Sequence, residues 1–204
     1  MTNSGLDEAT KNSTTWDVLA AAHTMLRTVV RGVDAVGWGR PTPCGQWTVT
    51  QVLQHAAGDQ LGFASAITGG PGPLEDPFSP SGTLGEDPVE YLGTALRAAA
   101  DAWAGIDAAA ESVATPLPQG GLAPRIGVGA CALDAAVHAW DIAVATGQPS
   151  PLSPLVASEL LVVAREIVEP LRQYGVYAPV VEGSDGDEVT ELLRFLGRRP
   201  DWKA

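Results

Sequence analysis

Apolar residues recur at three- and four-residue steps along most of this chain, the spacing of helices with one buried face. Between residues 14 and 36 the positions Trp16, Leu19, Ala20, His23, Leu26, Val29, Val30 and Val33 form one such stripe, predicting a first helix over Thr14 to Val36. Gly and Pro in "GWGRPTPCGQW", residues 37 to 47, end it. Thr48 or Thr50 can cap a second helix through Val52, Leu53, His55 and Ala56 to about Ile67, and "TGGPGPLEDPFSPSG", residues 68 to 82, reads as loop. A third helix follows Pro88, with Val89, Leu92, Leu96, Ala99, Ala100 and Trp103 on one face, and ends near Ala110. Residues 116 to 124 read as a loop or short hairpin. A fourth helix is predicted from about Gly129 to Thr146 with Gly147 closing it, a fifth from Ser158 to Tyr174 interrupted or ended around Pro170, and a short sixth from about Asp187 to Leu196.

No internal repeat is visible, and "VYAPVV", residues 176 to 181, is the single segment with β character. The pattern therefore predicts an all-α fold, a four-helix bundle with one or two additional C-terminal helices. Residues 1–13 are polar and read as a flexible N-terminal tail, leaving 14–204 as one helical domain.

Composition narrows the function. The 204 residues are 45% apolar and 18% charged, the balance of a globular chain. Twenty-four acidic against 12 basic residues give a net charge of −12, which disfavours nucleic acid, because binding its backbone needs clustered Lys and Arg. The polar N-terminus lacks a signal-peptide core, and no run reads as a membrane span, so a cytoplasmic protein without a membrane partner is expected. Two cysteines, Cys44 and Cys131, are too few for a disulfide framework. Cys131 reads as a small core residue, and Cys44 has no local His or Lys to make it a reactive thiol.

Only three histidines occur, and two stand in informative places. In "DAAVHAWDIA", residues 134 to 143, Asp134 and His138 lie four apart and share a helix face. In "VLQHAAGDQ", residues 52 to 60, His55 sits on an otherwise apolar helix beside the small residues Ala56, Ala57 and Gly58. Two imidazoles and a carboxylate suit a zinc-like divalent ion, and three protein ligands leave positions open for water or substrate. His55, Asp134 and His138 are thus the candidate metal ligands, against the alternative of hydrogen-bonded core histidines. His23 reads as core or boundary. Asp59 is either a solvated helix position or a carboxylate holding an imidazole proton; Asp141 has the same ambiguity and could equally cap or pair with an Arg. Trp47, Trp103 and Trp140 read as core or as walls of a pocket, and Arg125 is a candidate contact for an anionic substrate.

"PTPCGQWTVTQVLQHAAGD" (residues 41 to 59) resembles the N-terminal signature of the mycothiol-dependent maleylpyruvate isomerase and DinB-like superfamily. "DAAVHAWDIAVATGQP" (134 to 149) resembles its second signature, and "LLRFLGRRPDW" (192 to 202) the closing segment of an actinobacterial branch. The resemblance implies a DinB-like bundle holding a divalent metal, usually zinc and sometimes nickel or iron, on His55, Asp134 and His138. It also implies mycothiol or a similar low-molecular-weight thiol as cosubstrate, presented as thiolate to an electrophile by an S-transferase or isomerase. Loops 68 to 86 and 116 to 128 are expected to supply polar groups around the mouth of the site. The isomerase has Glu where this chain has Asp134, and it carries a second domain that supplies a catalytic Arg, for which this chain is too short. A reaction other than maleylpyruvate isomerisation is therefore expected. A non-catalytic metal or small-ligand binding protein of the same fold is the competing reading, an empty structural bundle a third, and a homodimer is open to such a bundle.

Overall fold

The structure, a computed structural model, describes residues 4–45, 47–183 and 185–203. Six helices follow in order: α1 (Ser4–Arg31), α2 (Val49–Thr68), α3 (Pro88–Ala104), α4 (Pro124–Ala145), α5 (Pro154–Arg172) and α6 (Glu188–Phe195). A single turn of 3₁₀-helix, Gly37–Gly39, lies between α1 and α2. Among the described residues there is no strand, only two isolated bridges, Pro41 with Thr48 and Val113 with Leu122. The all-α expectation holds, and "VYAPVV" forms no strand. Of the expected tail, residues 1–3 lie outside the described residues and α1 runs from Ser4.

Local chemistry explains the helix ends. Thr48 opens α2 with a capping box: its hydroxyl accepts from Gln51 N–H while the Gln51 side chain accepts from Thr48 N–H. Gly69 closes α2 in the left-handed conformation, φ 70°. Asp87, Ser153 and Asp187 cap α3, α5 and α6. Prolines shift the predicted starts. α4 begins at Pro124 rather than Gly129, and α5 at Pro154 rather than Ser158, because a first-turn proline loses no hydrogen bond and has its φ set for the helix. Pro170 stays inside α5, two residues before its end. α1 ends at Arg31, not Val36, and α3 at Ala104, not Ala110.

α1 to α4 form the bundle. α4 packs on α1 and α2, α3 packs on the same two, α5 packs on the outside of α4, and α6 packs on α5. α4 is therefore enclosed, and its small residues Ala130, Cys131, Ala132, Ala135, Ala136, Ala139 and Ala143 are all buried. An apolar helix buried on every side is the expected core element. Its length and composition would also let it cross a membrane, which the sequence reading missed, but 89% of the qualifying window is buried inside the protein. Close approach to α5 needs Gly129, where a Cβ would meet Val163 at 2.6 Å. This enclosure fixes the faces of α4 and α2 that carry the polar residues described next.

Candidate metal centre

The N-terminal half of α2 faces the middle of α4, with His55 on the first and Asp134 and His138 on the second. Asp134 Oδ1 lies 3.6 Å from His55 Nε2 and 3.3 Å from His138 Nε2. All three groups offer a ligand atom within 4.8 Å of one another. A tetrahedron with bonds of about 2.1 Å has edges of about 3.4 Å, so the two carboxylate–imidazole separations suit donors sharing one small cation. The residues therefore fit the ion that the sequence reading implied.

The far nitrogens decide what those near ones can do. His55 Nδ1 is 2.8 Å from the carbonyl oxygen of Pro77, which can only accept, so Nδ1 carries the proton and Nε2 keeps its lone pair. His138 Nδ1 is 3.0 Å from Asp141 Oδ2 and donates to it. Asp141 is fully buried and remains a carboxylate because Arg198 binds it through Nε, 3.1 Å from Oδ1, and a terminal nitrogen, 2.9 Å from Oδ2. Both imidazoles thus hold a proton away from the cluster, the arrangement in which outer partners orient ligand histidines.

Gln60, fully buried on α2, ties the third histidine to the same cluster. Its amide nitrogen donates to the Cys131 carbonyl at 3.1 Å and, at a long 3.5 Å, to Asp134 Oδ2. Its oxygen accepts from His23 Nε2 at 2.8 Å and from the Cys131 thiol at 3.1 Å. Asp134 therefore turns one oxygen to the histidines and the other to Gln60. His23 is core, as expected, and stands two hydrogen bonds from Asp134.

Charges follow this geometry. Burial, reinforced by the neighbouring His138, lowers the pKa of His55 to about 4. Burial works against protonated His138 as well, but the Asp134 and Asp141 carboxylates outweigh it and raise the imidazole well above its ordinary value. Asp134 and Asp141 are lowered despite burial, by His138 and by Arg198 respectively. Burial and the Asp134 charge push Asp59 well above the carboxylate range. Burial, with Asp141 second, raises the Cys44 thiol, in line with the expectation that it is no reactive thiolate.

Other sequence candidates divide. Asp59 is only partly exposed rather than solvated, and its Oδ2 lies 3.9 Å from His55 Nε2 on the inner side of the ring, while the outer His55 proton goes to Pro77. Asp141 takes both of its alternatives at once, pairing with Arg198 and orienting His138. Trp47 is a wall, its ring 4.7 Å from that of His55, whereas Trp140 is buried in α4 and Trp103 packs on Phe63 in the core. Arg125 is exposed at the start of α4, roughly 14 Å along the helix axis from Asp134 at 1.5 Å per residue, and is not drawn to the cluster. The loop after α2 reaches the site through Pro77 and Phe78, whose ring stands 5.3 Å from His55 and is half exposed. Pro116 of the other loop packs instead on Gly62 of α2, seven residues along the helix from His55.

Pro77, Phe78, Gln60 and Arg198 were not singled out from the sequence. Gln60 alone gave a usable signal, a polar side chain on the buried stripe of α2.

The fold and cluster define a class, helical bundles whose facing helices pool imidazoles and a carboxylate in the core. Residues 19–143 match the family model of the mycothiol maleylpyruvate isomerase N-terminal domain, more than half of the chain, and the protein belongs to that family. Two proteins of Mycobacterium tuberculosis, from strains CDC 1551 / Oshkosh and ATCC 25618 / H37Rv, are each 34% identical over 178 residues, covering 83% of this chain and 90% of the relative. Both are described as uncharacterized. No solved structure matches the chain significantly.

Proposed function

We propose that this protein binds a divalent metal, zinc before nickel or iron, on His55 Nε2, Asp134 Oδ1 and His138 Nε2. There it uses a low-molecular-weight thiol of the mycothiol type in S-transfer or isomerisation. One observation carries the reading: both imidazoles have Nδ1 engaged by an acceptor and Nε2 turned to the same carboxylate oxygen. Ligand histidines require that orientation, and an acceptor on each Nδ1 is the usual means of imposing it. Family membership adds the thiol.

The chemistry that such an ion supplies is acidification of a bound thiol, so that a thiolate is available at neutral pH. The chain's own residues do the rest. Pro77 and Asp141 hold the two Nδ1 protons and keep the rings from turning. Gln60 takes the second oxygen of Asp134 and leaves the first for the ion. Trp47 and Phe78 offer aromatic faces beside His55, suited to the apolar part of an electrophile. Acidic surface and buried apolar helices fit a cytoplasmic protein acting on small molecules, with neither nucleic acid nor membrane as partner.

Untagged protein, analysed for metal and then mixed with mycothiol and a panel of electrophiles, tests the reading by thiol consumption. The expected result is one equivalent of metal and turnover that is lost in His55→Ala and kept in the surface variant Arg165→Gln. Stoichiometric metal without thiol consumption across the panel leaves the competing function, a non-catalytic metal-binding protein. Failure to bind zinc, nickel or ferrous iron refutes both.

A further inference from the structure

Arg198 lies beyond the 19–143 segment that matches the family model, and outside the four-helix bundle. It is nevertheless 8% exposed. The turn closing α6 sends it inward: Gly197 N–H donates to Arg194 O at 3.0 Å and Arg198 N–H to Leu193 O at 2.8 Å, the paired bonds of a Schellman motif. Gly197 has φ 78°, and a Cβ there would meet the Ala178 carbonyl oxygen at 2.6 Å. Only glycine makes this reversal without displacing its neighbours.

The guanidinium is mostly engaged on arrival, four of its five N–H groups facing an acceptor. Nε and one terminal nitrogen fork onto Asp141, that terminal nitrogen also faces Cys44 Sγ at 3.8 Å, and the other donates to Leu196 O at 3.3 Å. A group so occupied is not waiting for an anionic substrate. Nor is the pair an efficient source of stability, since apolar side chains of like volume serve a buried site as well or better. What the pair does uniquely is hold Asp141 charged and oriented, with Oδ2 accepting from His138 Nδ1–H.

We infer that Arg198 is a positioning residue of the centre, acting through Asp141 to aim the His138 Nε2 lone pair at the point shared with His55 and Asp134. The C-terminal turn is then part of the site although it contributes no ligand. This rests on the metal reading above, and its test separates the two.

Zinc affinity is measured by competition with a chromophoric chelator, and the cobalt(II) form by its visible spectrum, in wild type, Arg198→Met, Arg198→Lys and Asp141→Asn. Far-UV circular dichroism in chelator shows which variants fold. The expected result in folded Arg198→Met is zinc binding weakened about 10–100-fold with an altered cobalt band, and partial recovery in Arg198→Lys, which restores charge without the fork. Should Arg198→Met not fold, Asp141→Asn decides on the same measurement, with a loss of about tenfold or more expected. Unchanged zinc affinity and cobalt spectrum in the folded variant overturn the inference alone. Absence of stoichiometric zinc or cobalt binding by the wild type overturns the metal reading, and this inference with it.

Discussion

Asp141→Ala is a substitution to which the structure assigns a large cost. Asp141 is wholly buried and Arg198 nearly so, with nitrogen–oxygen contacts of 2.9, 3.1 and 3.3 Å between them. Removing the carboxylate strands a guanidinium in the interior without counter-charge, which costs about 3–5 kcal/mol. The His138 Nδ1–H loses its acceptor too, at about 1–3 kcal/mol, but the losses share one network and do not add. For a domain of this size each kcal/mol moves the melting temperature about 2–4 °C, so a fall of roughly 6–20 °C is expected. Urea denaturation in the presence of chelator measures it without a contribution from bound metal.

The double variant Asp141→Leu with Arg198→Met sharpens the reasoning, since it removes both charges and retains most of the volume. It is expected to regain more than half of the lost stability, while zinc affinity stays as low as in Arg198→Met. Stability and positioning would then part company. A single-variant loss below about 1 kcal/mol would show that the pair is effectively solvated, contrary to its burial. A double variant as unstable as the single one would show that the shape of the pair, rather than its isolated charge, sets the cost.

Three further outcomes follow from particular contacts. His23 is pushed below its ordinary value of 6.5 chiefly by burial, the Gln60 hydrogen bond opposing. The unfolded chain therefore takes up this proton first, so the stability due to His23 is complete above about pH 6.5 and declines as pH falls toward the folded-state pKa. Urea midpoints at pH 7 and pH 5 in chelator should differ less in His23→Gln than in wild type, and an equal difference would contradict the assignment. A Cβ at Gly58 would meet Pro77 Cγ at 2.8 Å, so Gly58→Ala should displace the carbonyl that holds His55 and weaken zinc binding several-fold without loss of helix content; unaltered affinity would show that the loop yields without moving that carbonyl. Cys131 has no exposed surface and a thiol pKa raised by burial and Asp134, so a thiol reagent should leave it unmodified in native protein and modify it only in urea, as peptide mass mapping would show.

What could be read from the sequence was local. Asp134 and His138 are four apart on a helix, and that spacing alone puts them on one face. His55 stood out because imidazole was out of place on an apolar stripe. Thr48 and Thr50 were both open to the sequence as caps of α2, and the capping box that Thr48 makes with Gln51 decides between them. The partners of these groups left no comparable trace. Arg198 meets Asp141 across 57 residues, and no periodicity connects a residue after a terminal helix to the middle of the core. Pro77 acts through a backbone oxygen, which every residue type possesses. α4 and α5 begin ahead of their predicted starts because residues 124 and 154 are prolines, which disrupt a helix interior but favour its first turn.

The two histidines consequently answer to different parts of the chain. His138 is held by a side chain that is itself held by another, both buried, so its orientation changes only by mutation or local unfolding. His55 is held by a carbonyl in the loop between α2 and α3, next to Phe78, whose half-exposed ring stands beside the same imidazole. Substitution at residue 77 can shift that acceptor but cannot delete it. A molecule that displaces Phe78 to reach the cluster must pull on the adjacent peptide, and with it on the hydrogen bond that sets the His55 ring. Displacement of Phe78 is thus mechanically tied to His55 and not to His138, because only the first imidazole hangs on the backbone of that loop.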